Sequence, residues 1–343
     1  MRITRPPALA VLAVLFCVFL SACEAEQQEK ASAGKPVIGV LVFREDDIYI
    51  GLVTQAIQKN LQDKAEVEVL YAEQDQLVQN EQIDALIKKK VNALAVNIVE
   101  TQAAAKAVDS IKKAGIPVVF FNREPDLRSL KAYADARFVG TNAFDAGIMQ
   151  GDIIVELWDK HPEFDKNGDG KCQYLMIQAN LDNPEAVART EYSVKRAREK
   201  GLTMQQAGDT LLCNWEENMA FAAVKLMLPS QIDTIELIIA NNDAMALGAI
   251  KALNELEYNL GNGLSGKYIP VVGVDAVPRA VEAIKQGKMS GTVIQDGNAM
   301  GFAVSTMILN AVQGKDFLEG LPYSWDDSGI AVRVPYSRYT GGQ

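Results

Sequence analysis

From Pro36 onward the chain alternates short apolar, β-branched runs with longer stretches whose apolar residues recur at helical spacing. The runs KPVIGVLVF, AEVEVLYA, NALAVNI, IPVVFFN, CQYLMIQ, IELIIAN and YIPVVGV read as strands, and most are apolar almost throughout. A strand without polar alternation is covered on both faces, as in a parallel sheet held between layers of helix. EQIDALIKKKVNALAVNI shows the unit: Ile83, Leu86 and Ile87 make a helical stripe, and Ala93, Leu94 and Val96 begin the next strand. The pattern returns in ALGAIKALNEL and AVEAIKQGK, so the class is α/β. Over about 300 residues, such units close into one barrel or form two doubly wound lobes. The long polar insert around residues 158–172 favours two lobes. So do the late strand-like runs SGTVIQD and IAVRVPY, which read as crossings between them.

The N-terminus changes the picture of where the protein works. Residues 1–22 carry Arg2 and Arg5, then the apolar run ALAVLAVLFCVFL, then small residues, the build of a secretory signal peptide. Leu20, Ser21, Ala22 and Cys23 resemble a bacterial lipobox, which implies cleavage before Cys23 and a lipid on that cysteine. Residues 23–35 are polar and free of aromatics, a flexible tether. No other run approaches the roughly 20 apolar residues that span a bilayer. The net charge of -10, more acidic still once the signal arginines are lost, argues against a phosphate-binding surface and against nucleic acid as a partner.

Two nucleotide motifs, GxGxxG and a near match to the P-loop GxxxxGKS/T with Tyr268 in place of the hydroxyl residue, fail on their context. GNGLSGKY satisfies GxGxxG through Gly261, Gly263 and Gly266, yet a helix pattern precedes it and a strand follows, the reverse of what phosphate binding needs. The only histidine, His161, lacks a second to form a zinc pair, and no GxSxG elbow is present. DKNGDGKCQ matches the first nine positions of an EF-hand calcium loop: Asp165, Asn167, Asp169, Lys171 through its carbonyl, and Gln173, with Gly170 at the turn. Position 12, which should be a bidentate glutamate, is Met176. In a doubly wound lobe starting with QYLMI, the first and third strands are neighbours, with amino ends about 4.8 Å apart. Glu236, opening the third strand, can then supply the missing carboxylate from outside the loop.

Ligands of open parallel sheets sit beyond the carboxyl ends of the strands. Those ends read REDDIYI, NREP, ANLDNPEAVART, NND, VDA and QDGN, with Tyr49 and Trp215 nearby. Planar amides and carboxylates bind vicinal hydroxyls, and flat rings cover C–H faces, which together suit a pyranose. The calcium ion, about 20 Å away at the amino ends of the strands, is then structural rather than catalytic.

VVFFNREP, IIANNDAMALGA, VVGVDAVPRA and the calcium loop are similar to the periplasmic glucose/galactose-binding proteins, from about Pro36 to Tyr336. The resemblance implies a monomer of two doubly wound lobes joined by three crossings, which closes on D-glucose or D-galactose and delivers it to an ABC transporter permease; some members also engage a chemoreceptor. It places the first lobe at 36–140 with 295–328 and the second at 141–294 with 329–343. By its motifs Asp47 binds a hydroxyl, Tyr49 and Trp215 cover the two sugar faces, and Asn122, Arg189, Asn242 and Asp275 complete the set. Tyr49 stands where the family usually has Phe, Asn183 where it has His, Glu185 where it has Asp, and Gln295 where it has Asn. Preference among hexoses is therefore not carried over. The family also puts its calcium ligand at Glu236. A glycoside hydrolase using Asp47 and Asp275 is the rival reading. A sugar-sensing repressor would need a DNA-binding head where the signal peptide stands.

Overall fold

The computed structural model describes residues 34–261 and 267–341. The signal segment, Cys23 and most of the tether lie outside the described residues, as do Gly263 and Gly266. The chain builds two sheets. The first contains β1 (Val37–Val42), β2 (Glu66–Tyr71), β3 (Ala93–Val96), β4 (Val118–Phe121), β5 (Ala136–Gly140) and β12 (Ala331–Arg333), in the order β12-β5-β4-β3-β1-β2. The second contains β6 (Cys172–Gln178), β7 (Met204–Gln206), β8 (Leu211–Leu212), β9 (Leu237–Ala240), β10 (Val271–Asp275), β11 (Gly291–Ile294) and β13 (Ser337–Tyr339). Its order is β13-β11-β10-β9-β6-β7, with β8 beside the carboxyl half of β6. All pairs are parallel except β11 with β13.

Parallel pairing explains the continuous apolar runs. Strands β3, β4, β6 and β9 are buried along their whole length, with helices on both faces. In the first lobe, helix Gly297–Val312 lies against helix Ile48–Leu61. At Gly301 a Cβ would stand 2.5 Å from the Ala56 Cβ, so glycine allows the close approach. That approach brings Tyr49 against Met300, its hydroxyl 3.7 Å from the sulfur. The glycine-rich stretch after helix Asp243–Asn254 leads into β10, in the order that disfavours a phosphate site.

The lobe boundary near the C-terminus needs correction. Residues 331–333 belong to the first sheet, where Ala331 pairs with Phe138, rather than to the second lobe with the rest of 329–343. Ala331 and Val332 are buried there and cover the edge of β5. IAVRVPY is thus not one strand: Val334 still donates to the Gly140 carbonyl, Pro335 has no N–H to continue a ladder, and the chain crosses to β13. The chain passes between the sheets at 141–142, 295–296 and 334–336.

The same topology separates the two cysteines of the folded body. Cys172 opens β6, whereas the Cys213 N–H donates to Gln178 at the other end of that strand. Six residues of strand span about 20 Å, and a disulfide needs Cα atoms within roughly 7 Å. Both thiols are free and buried, and burial pushes Cys213 up to about 11. Thiol titration of the unfolded, unreduced mature protein is expected to find both free. A bridge between them would mean that the strand order is wrong.

Candidate functional site

Helices that follow parallel strands start at the strands' carboxyl ends, so their caps gather where the lobes face each other. Asp47 caps helix Ile48–Leu61 by accepting from Ile50 N–H, and Asn183 caps helix Pro184–Glu199 by accepting from Glu185 and Ala186. Asn242 caps helix Asp243–Asn254 and also donates to the Trp215 carbonyl at 3.3 Å. Capping is worth about 1 kcal/mol and uses one oxygen of each residue. Asp47 keeps its second oxygen, and Asn183 its amide N–H groups, for other partners. Asn242 spends its oxygen on the helix start and one amide N–H on the Trp215 carbonyl, which leaves its second amide N–H.

Every residue expected at the site lines one cavity of about 450 Å³, inside the roughly 300–1,000 Å³ range of small-molecule sites. Asp47, Tyr49 and Asn122 come from the first lobe. Asn183, Glu185, Arg189, Trp215, Asn242 and Asp275 come from the second, and Gln295 sits in a crossing. Asn122 (φ 60), Trp215 (φ 65) and Asp275 (φ 122) have left-handed backbone, uncommon outside glycine.

Arg189 is the hub of the site. It is 2% exposed and donates from Nη1 to the Asn241 carbonyl at 2.9 Å. From Nη2 it reaches Glu185 and Gln295 at 3.0 Å and the Tyr336 hydroxyl at 3.1 Å. Asp275 lies 3.8 Å from Nη1. Thr141 joins the Tyr336 hydroxyl at 2.8 Å and donates to Glu185 at 3.2 Å. Gln295 and Tyr336, from two of the crossings, therefore meet at one guanidinium, and Thr141, from the third, joins through Tyr336 and Glu185. Burial pushes Asp275 well up from its ordinary value, helped by the neighbouring acids and opposed by Arg189. Burial raises Asp47 as well, against the pull of the Ile50 N–H and Arg44. Arg189 Nε and Gln295 Nε2 are buried without a protein acceptor. An unmet donor of this kind costs about 1–3 kcal/mol, so both fit an oxygen-rich ligand. Trp215, 8% exposed, and Tyr49 add apolar surface from opposite lobes.

Several lining residues were not singled out in the sequence. Arg123 donates to the Val99 carbonyl and lies over the Phe43 ring at 4.8 Å. It belongs to the same NREP run as Asn122, so strand-end position alone pointed to it. Arg333, paired twice with Glu124 at 2.6 Å, Asp326 and Asp327 reach the cavity only because β12 lies in the first sheet. At the other mouth Arg44 donates across the lobes to Glu216 at 3.0 Å, and Asn214 to Gln74 at 2.9 Å.

The loop 165–173 lies at the amino end of β6, away from the cavity. The register places Tyr174 opposite Leu237, and Glu236 sits against the loop: Oε1 accepts from Lys166 N–H at 2.7 Å and Oε2 from Gln173 N–H at 3.1 Å. Gly168 (φ 70) and Gly170 (φ 73) supply the left-handed turns. Among the described residues no three His, Cys, Asp or Glu side chains form a metal centre by themselves, so amide and carbonyl oxygens would have to complete one. They are at hand. Asp165 Oδ1 and Gln173 Oε1 are buried without a donor, and Glu236 is 1% exposed, its carboxyl raised by burial. Oxygens stripped of donors beside a buried carboxylate fit a hard cation such as calcium.

A family model described as a periplasmic binding protein domain matches residues 38–316. The D-galactose/methyl-galactoside binding periplasmic protein MglB of Haemophilus influenzae is 36% identical over 303 residues, covering 87% of this chain and 88% of that protein. The ribose import binding protein RbsB of Bacillus subtilis is 24% identical, covering 90% and 94%. Among solved structures, an ABC transporter solute binding protein from Bacillus halodurans with bound myo-inositol superposes with a TM-score of 0.71 at 25% identity, covering 90% of this chain and 96% of that one.

Proposed function

The chain belongs to the periplasmic binding protein domain family, and from that premise we propose that it is a lipid-anchored receptor for a hexose, D-glucose or D-galactose, carrying one structural calcium ion. As a member of that family it is an extracytoplasmic sugar-binding protein of an ABC importer and not an enzyme. This sets aside the glycoside hydrolase. The choice of a hexose is supported by the cavity: acids, amides and Arg189 around a rim, with Tyr49 and Trp215 from opposite lobes. The galactose named for the H. influenzae relative points the same way. Ribose and myo-inositol, named for other relatives, are the competing ligands. Anchoring rests on the lipobox at Cys23; a mature N-terminus of unmodified mass would overturn that part.

Calorimetric titration with a panel of monosaccharides tests the ligand. Glucose or galactose is expected to bind most tightly and to change Trp215 fluorescence, because closure of the lobes on a ligand takes the ring further from water. Tighter binding of ribose or myo-inositol than of either hexose would refute the hexose assignment.

A further inference from the structure

We propose that Asp243, which lies behind the cavity and outside its lining, is the positioning residue that holds Asp275 in the conformation that meets the ligand. β10 ends in unusual backbone: Asp275 has φ 122 and Ala276 φ 57, both left-handed and neither a glycine. Such conformations persist only where the surroundings over-determine them. The side chain of Asp243 supplies that determination. Its Oδ2 accepts from the Val277 N–H at 2.9 Å, immediately past the strained pair, and its Oδ1 accepts from the Thr292 hydroxyl at 2.7 Å on the next strand. The carboxylate thereby ties the turn after β10 to both β11 and the start of helix Asp243–Asn254.

The sequence is arranged to admit this group. A Cβ at Gly273, two residues before Asp275, would stand 2.3 Å from Asp243 Oδ1. Glycine in VVGVD is therefore the space that the acid of NND occupies, and the two runs interlock. Asp243 is fully buried and touches neither mouth of the cleft, so its effect on a ligand passes through Asp275, whose carboxylate faces Arg189.

The inference rests on the hexose reading, and the experiment separates the two. Asp243→Ala removes the acceptor of Val277 and is expected to weaken hexose binding about ten-fold or more. Asp243→Asn is expected to keep most of the affinity, since its oxygen can accept from Val277 while its amide donates to the Thr292 hydroxyl. In an Asp275→Ala background, Asp243→Ala is expected to cost no further affinity, a coupling that a general loss of stability would not produce. In the sugar-free protein the Val277 amide should exchange its hydrogen faster in Asp243→Ala than in wild type. Should that variant fail to fold, Gly273→Ala, which crowds the acid with one methyl group, is read by the same two measurements. Wild-type affinity in Asp243→Ala, or losses that add in full to those of Asp275→Ala, would overturn the proposal. Failure of the wild type to bind any hexose would sink the hexose reading, while the exchange rate of Val277 would still decide whether Asp243 clamps the turn.

Discussion

Arg189→Leu is expected to abolish measurable hexose binding. The guanidinium is fully buried and holds Glu185, Gln295, Tyr336 and the Asn241 carbonyl, with Asp275 close by. Removing one member of a buried ion pair leaves the other uncompensated, at a cost of about 3–5 kcal/mol, which is about a hundred- to a few thousand-fold in affinity if it falls on the bound state. Part of it falls on the fold, because Glu185 and Asp275 must then be buried without a counter-charge or take up protons. The melting temperature should drop as well. Arg189→Lys separates the two effects: it keeps the charge but not the planar fork that reaches several acceptors together. It should fold nearly as well as wild type and still lose at least about ten-fold in affinity. Hexose binding at wild-type strength in a folded Arg189→Leu protein, measured by calorimetry, would show that the cavity is not the sugar site.

Chelation is expected to lower the melting temperature and to spare sugar binding. An ion that binds only the folded state at about a thousand times its dissociation constant contributes about 4 kcal/mol, or about 10 °C for lobes of this size. Without the cation, the acids Asp165 and Glu236 lie close together, and Asp165 Oδ1 and Gln173 Oε1 are buried without partners. Because the loop leads into the amino end of β6 and the cavity lies beyond its carboxyl end, about 20 Å separates the two. Hexose affinity measured at 20 °C with excess chelator should therefore stay close to its calcium-loaded value. Glu236→Gln should weaken calcium more than Gln173→Ala, since it removes a charge. An unchanged melting temperature would speak against a calcium site, and loss of sugar binding in a still folded, chelated protein would speak against a purely structural ion.

Much of the architecture was legible because parallel strands must be covered on both faces. VVFF, CQYLMIQ and LIIA are unbroken apolar runs, and each is a fully buried strand. The position of Glu236 followed from strand order, since a glutamate at the start of a third strand has to neighbour the loop entering the first. The gathering of polar residues at strand ends was legible for the same reason: helices begin there, and their caps are Asp and Asn. That rule could not tell how many of a residue's atoms remain free. Asn242 looked like Asp47, yet its oxygen caps the helix and one of its two amide hydrogens goes to the Trp215 carbonyl.

By itself, then, the sequence determined the α/β class, the polar rim at the strand ends and the loop 165–173, which follow from local periodicity and strand order, whereas two lobes rather than one barrel were favoured by the polar insert, the late strand-like runs and the family resemblance. Tertiary structure alone decided which groups converge across distant segments. IAVRVPYSRY carries no local sign that residues 331–333 pair with β5 and residues 337–339 with β11, because any edge strand of that composition would serve either sheet. Nor could spacing show that Gln295 and Tyr336 meet at Arg189, with Thr141, more than a hundred residues before Gln295, bonded to Tyr336. Asp243 carries no sign in the sequence that Gly273 and Val277 close around it, because they come from β10 and the turn after it, about thirty residues further on. Local chemistry sets which residue types stand at a strand's end; only the packing of one lobe on the other sets which of their atoms are left facing the cavity.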